Sequence, residues 1–110
     1  MTTRAQIVTA LTGVAGLKPS PFRPEVLGSG LAWPQVTGHV RRNNYLAVNW
    51  AVYVMLPSEQ RAAADWYDAN IAALWSALLP VVYVDTDNAV TVPADGGSNL
   101  FAIEITGWSE

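Results

Sequence analysis

The sequence predicts a single α+β domain over residues 1–110, an antiparallel sheet of about four strands with a short N-terminal helix and one long helix packed on one face. Three observations predict it. Residues 45–56 alternate so that Leu46, Val48, Trp50, Val52, Val54 and Leu56 share one face of a strand. Residues 59–79 carry apolar side chains at helical spacing, between Pro57 and Pro80. Asn43-Asn44 can supply the positive φ values of a tight hairpin turn just before the alternating run.

The elements follow in order. Ile7, Leu11 and Val14 fall at i, i+4 and i+7, so residues 3–14 read as a short helix closed by Gly13, Gly16 and Pro19. Residues 17–34 read as a long structured connector, with Pro19, Pro21, Pro24 and Pro34 alternating with the apolar anchors Phe22, Val26, Leu27, Leu31 and Trp33. A weak strand over 35–42 and the strong strand over 45–56 make the first hairpin. The second face of that strong strand carries Tyr45, Ala47, Asn49, Ala51, Tyr53 and Met55, a composition suited to a partly covered surface. Ser58 is the expected N-cap of the long helix, which should run to Leu79, about 21 residues or ~31 Å. Its expected inner stripe is Ala62, Trp66, Ala69, Ala73, Leu74 and Ala77, with Tyr67, Ile71, Trp75 and Leu78 alongside. Residues 81–85 then form a strand, with 89–93 as its continuation. Asp85-Thr86-Asp87-Asn88 and Asp95-Gly96-Gly97-Ser98 are read as turns. The closing strand sets Phe101, Ile103 and Ile105 against Leu100, Ala102, Glu104 and Thr106.

Composition narrows the function. Leu, Ile, Val and Phe are 29 of 110 residues, enough for a packed core. Charged residues are only 14% while Trp and Tyr number five and four, so much of a small domain's surface is weakly charged. That balance points to a component of an oligomer or assembly. A net charge of −3 argues against a dedicated nucleic-acid-binding domain. The longest nearly apolar stretch, Leu46 to Leu56, contains Asn49 and is far short of the ~20 residues of a membrane-spanning helix. Arg4 followed by residues 7–17 has the outline of a secretion signal. Thr9, Thr12, Gly13 and Gly16 dilute its apolar core, however, and no small-x-small cleavage pattern follows.

Catalysis and cofactor binding find no support in the residue pattern. Without Cys there is no disulfide, no thiolate metal site and no thiol nucleophile. His39 has no second His to complete a ligand or nucleophile set. The Asp85-Thr86-Asp87-Asn88 run begins like a calcium loop, but Ala89 and Val90 stand where a ligand and a Gly are needed. Gly28-Ser29-Gly30 lacks the Lys and the strand-to-helix setting of a phosphate loop. Trp50 and Trp66 are expected in the core. Trp33, Arg41, Arg42, Tyr45, Tyr53 and Trp108 are the candidate interface residues. Arg41 and Arg42, adjacent at the hairpin tip, should point to opposite faces.

Taken in order, the segments MTTRAQIVTAL, GLAWPQV, NWAVYVMLP, SEQRAAADWYDANIAALWSALLP, VVYVD and LFAIEITGWSE resemble the tail terminator proteins of long, non-contractile-tailed bacteriophages, especially those of actinobacterial phages. The resemblance spans nearly the whole chain as element order and local pattern. It implies a structural virion protein with no catalytic residues and no cofactor. Such a protein forms a ring, usually a hexamer, on the head-proximal end of the tail tube. The ring ends tube polymerisation and joins the head completion or stopper protein, while DNA passes through its lumen as cargo. The resemblance places the protein in the virion tail, after assembly in the host cytoplasm and without a membrane partner. A head-to-tail stopper or connector shares the composition but should show a β-barrel pattern instead of a long central helix. A small α+β enzyme or ligand-binding domain needs a polar constellation that these residues do not supply.

Overall fold

The computed structural model describes residues 2–93 and 99–110. Among these, the elements run α1 (Arg4–Leu11), β1 (Lys18–Pro19), β2 (Leu31–Arg42), β3 (Tyr45–Met55), α2 (Gln60–Leu78), β4 (Tyr83–Pro93) and β5 (Asn99–Ser109). The sheet order is β1-β2-β3-β5-β4, parallel only between β1 and β2. Five strands replace the expected four, because the connector contributes the two-residue β1 at the edge. Both helices lie on one face, as the pattern predicts. Ile7 and Leu11 of α1 and Ala63, Leu74 and Leu78 of α2 share a core with Val48, Trp50, Val52, Val54, Ile103 and Ile105.

Each boundary has a local cause. Thr3 caps α1 in a reciprocal box: its hydroxyl accepts from the Gln6 N–H, and Gln6 Oε1 accepts from the Thr3 N–H at 2.8 Å. The expected connector is extended from Leu31, so Trp33 and Pro34 belong to β2 and not to a loop. Pro34 is tolerated because β1 stops opposite Ala32, leaving β2 an open edge beyond it. The Pro34 carbonyl points away from β3 and accepts from Arg4 Nη1 at 2.9 Å. At the hairpin tip Asn43 takes φ 54°, the left-handed region an Asn can occupy, and Arg42 pairs directly with Tyr45. The faces of β3 fall as predicted, with one exception. Leu46 stands on the core side but is 58% exposed, because the tip overruns the helix layer and the end of β5.

The N-cap of α2 is Glu59, not Ser58. Its carboxylate accepts from the N–H groups of Arg61 and Ala62 at 3.0 and 2.8 Å, and these bonds hold its pKa below the usual carboxylate value. The buried stripe of α2 is Ala63, Leu74 and Leu78 with half-buried Trp66, Tyr67 and Ile71. It is rotated from the expected stripe, and Ala69 and Ala73 are exposed. Alanine pattern alone misplaced the face, since an Ala is equally at home on either side of a helix. Residues 81–82 lie in the turn after α2, and β4 is one continuous strand. The expected turn at Asp85-Thr86-Asp87-Asn88 is instead strand, bulged between Val84 and Thr86. The expected turn at Asp95-Gly96-Gly97-Ser98 lies outside the described residues.

Gly107 makes that bulged crossing possible. A Cβ at this position would stand 2.5 Å from the Tyr83 carbonyl oxygen and 2.7 Å from Val82 Cγ1. Only glycine lets β4 enter the sheet this close to β5.

Candidate interaction surface

Strand register decides which side chains look away from the helices. Opposite Asn49 stands Trp108, opposite Trp108 stands Tyr83, and opposite Tyr53 stand Trp33 on one side and Glu104 on the other. Arg42 pairs with Tyr45 at the tip. The helix-free face therefore gathers Trp33, Arg42, Tyr45, Tyr53 and Trp108 from three strands. Arg41 pairs with Leu46 and belongs to the opposite face, as expected for adjacent strand residues.

This face has two aromatic ends joined by a polar middle. At the tip end, Trp108 stacks on Tyr83 with centroids 4.4 Å apart and planes inclined by 23°. The Arg42 guanidinium lies 4.1 Å above the Trp108 ring, a close cation–π contact. Tyr45 completes the group. Loss of water around its hydroxyl and the neighbouring Glu110 carboxylate raise its pKa, while the Arg42 charge opposes them. In the middle, Thr86 and Thr106 hydroxyls meet at 2.6 Å across β4 and β5.

At the other end a second, small core forms from Trp33, Met55, Val92 and Ala102, covered by Leu27 and Leu31. Trp33 stacks on Tyr53 at 5.5 Å, and the Arg23 guanidinium stands 6.0 Å from its ring. Arg23 also donates to the Pro93 carbonyl at 3.2 Å, drawing the connector across the sheet. Tyr53 donates its hydroxyl to Glu104 Oε2 at 2.7 Å; burial first, and then that carboxylate, push its pKa up. A cleft of about 420 Å³ opens between Arg23, Tyr53, Val90 and Glu104. Trp33 itself is 2% exposed, so of the six candidate interface residues it offers no surface of its own.

The arrangement combines flat aromatic area, a guanidinium beside a ring at each end and acids at its margins, chemistry suited to a contact surface. Among the described residues no three His, Cys, Asp or Glu side chains gather as a metal site, and no helix is long and apolar enough to cross a membrane. His39 is exposed on β2 beside Arg41.

Two contributions were not read from the sequence. Tyr83, 58% exposed, is part of the tip cluster, and its position directly opposite Trp108 depends on β4 pairing with β5. Asp87 sits on the helix side of β4 and accepts from the Tyr67 hydroxyl and from Trp75 Nε1, the latter at 2.9 Å. One carboxylate thus ties two turns of α2 to an edge strand. It raises the Tyr67 pKa to about 12, through the hydrogen bond first, then desolvation and charge repulsion. No protein-family model matches the chain, and no curated protein shows significant sequence similarity to it.

Proposed function

We propose that the chain is a structural virion protein, a tail terminator. Copies of it close into a ring, a hexamer on the family resemblance, at the head-proximal end of a phage tail tube. The ring stops tube polymerisation and offers its outer surface to the head completion or stopper protein. DNA crosses its lumen as cargo, and the reading includes neither catalysis nor a cofactor.

The observation that carries the reading is the uncovered apolar surface at the periphery of the sheet. Leu46 and Tyr83 are each 58% exposed near the hairpin tip, and Phe22 and Val26 are 65% and 76% exposed in the connector. Exposed apolar groups at the tip and along the connector of an elongated domain, 45 × 28 × 21 Å, suit contacts with more than one neighbour. A net charge of −3 suits a ring whose lumen must let DNA pass without holding it. The open sheet and 19-residue α2 favour this reading over a barrel-type connector.

Adding the purified chain to polymerising tail-tube protein tests it. The expected result is earlier arrest of elongation, with the chain found as a ring at one end of each tube. Tubes whose length distribution is unchanged would count against it.

A further inference from the structure

The β2–β3 tip projects beyond its neighbours. The last pairing of β3 with β5 is Val48 with Ser109 and Ala47 beyond it is still buried, so Tyr45 and Leu46 with their partners Arg42 and Arg41 form an exposed two-stranded arm. At two residues per strand its length is about 7 Å. On the side continuous with the core face the arm carries Arg41 and Leu46, directly paired and both exposed. The aliphatic side chain and the cation beside it on this arm have no partner among the described residues.

The opposite end of the molecule offers the complement. Between the first turns of α2 and strands β4 and β5 lies a groove of about 310 Å³ lined by Leu56, Ala63, Ala64, Tyr67, Ala89 and Phe101. Asp68 also lines this groove, and Asp65 is exposed one turn earlier on α2. Leu46 and Leu56 sit at the two ends of β3, ten residues and about 33 Å apart. One chain cannot fill its own groove with its own arm.

The geometry points to a head-to-tail contact in which the β2–β3 arm of one copy enters the α2–β4 groove of a second copy. Leu46 fills the apolar floor and the Arg41 guanidinium pairs with the Asp68 carboxylate. Charge and apolar complementarity select this occupant: the arm is basic, while the groove is apolar and bordered by the Asp68 carboxylate. Because the two patches differ and lie at opposite ends, the contact is heterologous, the class of contact that generates a ring when its rotation closes. The inference rests on the assembly reading above and names its subunit contact.

The chain has no cysteine, so paired cysteines report this contact without background. Leu46→Cys with Ala64→Cys, both at exposed positions, should give a ladder of covalent multimers on mild oxidation of the full chain. Each single variant should stay uncrosslinked. Arg41→Asp added to the pair should abolish the ladder, and Asp68→Arg added to that should restore it. Far-UV circular dichroism of each variant checks that the fold is kept. Dimers from Leu46→Cys alone mean tip-to-tip pairing and overturn the proposal. Failure of the pair to crosslink, or a ladder indifferent to Arg41→Asp, also overturns it. Rings measured by light scattering without the crosslink remove this contact and leave the tail-terminator reading standing. A crosslink in a chain that phage tails do not need keeps the contact and removes that reading.

Discussion

Trp50 is the side chain on which the sheet assignment can be tested most severely. It is 4% exposed, faces α1 and α2 beside Val48 and Val52, and donates Nε1 to Ser109 Oγ at 2.8 Å. Burying a Trp removes about 150–250 Å² from water. At about 25 cal/mol per Å², truncation to Ala should cost about 4 kcal/mol, inside the ~3–5 kcal/mol seen for large aromatic truncations. A domain of this kind has about 5–15 kcal/mol in total, so Trp50→Ala should remove a large fraction of it. Ser109 is 2% exposed, and its hydroxyl would lose its partner. Trp50→Phe and Ser109→Ala isolate that hydrogen bond, each leaving one buried polar group unpaired at about 1–3 kcal/mol. The double variant should cost less than the sum of the two, because the second change removes the stranded partner. Urea denaturation followed by far-UV circular dichroism is the assay, since five Trp residues make the fluorescence signal composite. A Trp50→Ala midpoint near wild type, or strict additivity in the cycle, would refute the packing described.

Gly107→Ala should destabilise by about 1–3 kcal/mol through overpacking against the Tyr83 carbonyl, whereas Gly38→Ala, with nothing within 4 Å of its Cβ, should stay within ~0.5 kcal/mol of wild type in the same urea assay. Tyr67 should make stability fall in alkali. Its hydroxyl pKa is raised to about 12 from 10.0, so the Asp87 contact is fully present below pH 10 and is lost as pH rises through 12. The melting temperature of wild type should therefore drop more steeply over that window than that of Tyr67→Phe; parallel curves would show that the Asp87 bond contributes nothing. Trp108→Ala removes the Tyr83 stack and the Arg42 cation–π contact, for a cost of about 1–2 kcal/mol by thermal melting. A larger loss would place Trp108 in the core instead of on the helix-free face.

Period-2 alternation was strong where burial is one-sided, and there the sequence was legible, whereas the alanine-rich α2 showed its extent but not its buried stripe. The faces of β3 and β5 follow from alternation because a strand between two neighbours has no other way to sort its side chains. The pairing of Arg41 and Arg42 to opposite faces follows from the same pleat. What stayed hidden depends on contacts distant in sequence. Asp87 reads locally as part of an Asp/Asn-rich turn, and only the approach of Tyr67 and Trp75 from α2 makes it a strand residue with a buried task. Leu46 has the alternation of a core residue, but alternation carries no information about where the helix layer ends. The tip cluster was half visible. Arg42, Tyr45 and Trp108 stand out by type, whereas their meeting with Tyr83 requires the order β2-β3-β5-β4. Trp33 reads as a connector residue because Pro and Gly are dense over 17–34, and the open edge of β2 removes the objection that Pro34 raises to a strand there.

The central proposal, that this chain ends tail growth and joins tail to head, is tested most directly by disrupting its coding sequence and examining the resulting particles by electron microscopy. The account predicts tail tubes that run past the set length and heads that carry no tails. Complementation in trans should restore both. Tails of normal length attached to filled heads, in the verified absence of the protein, would contradict it.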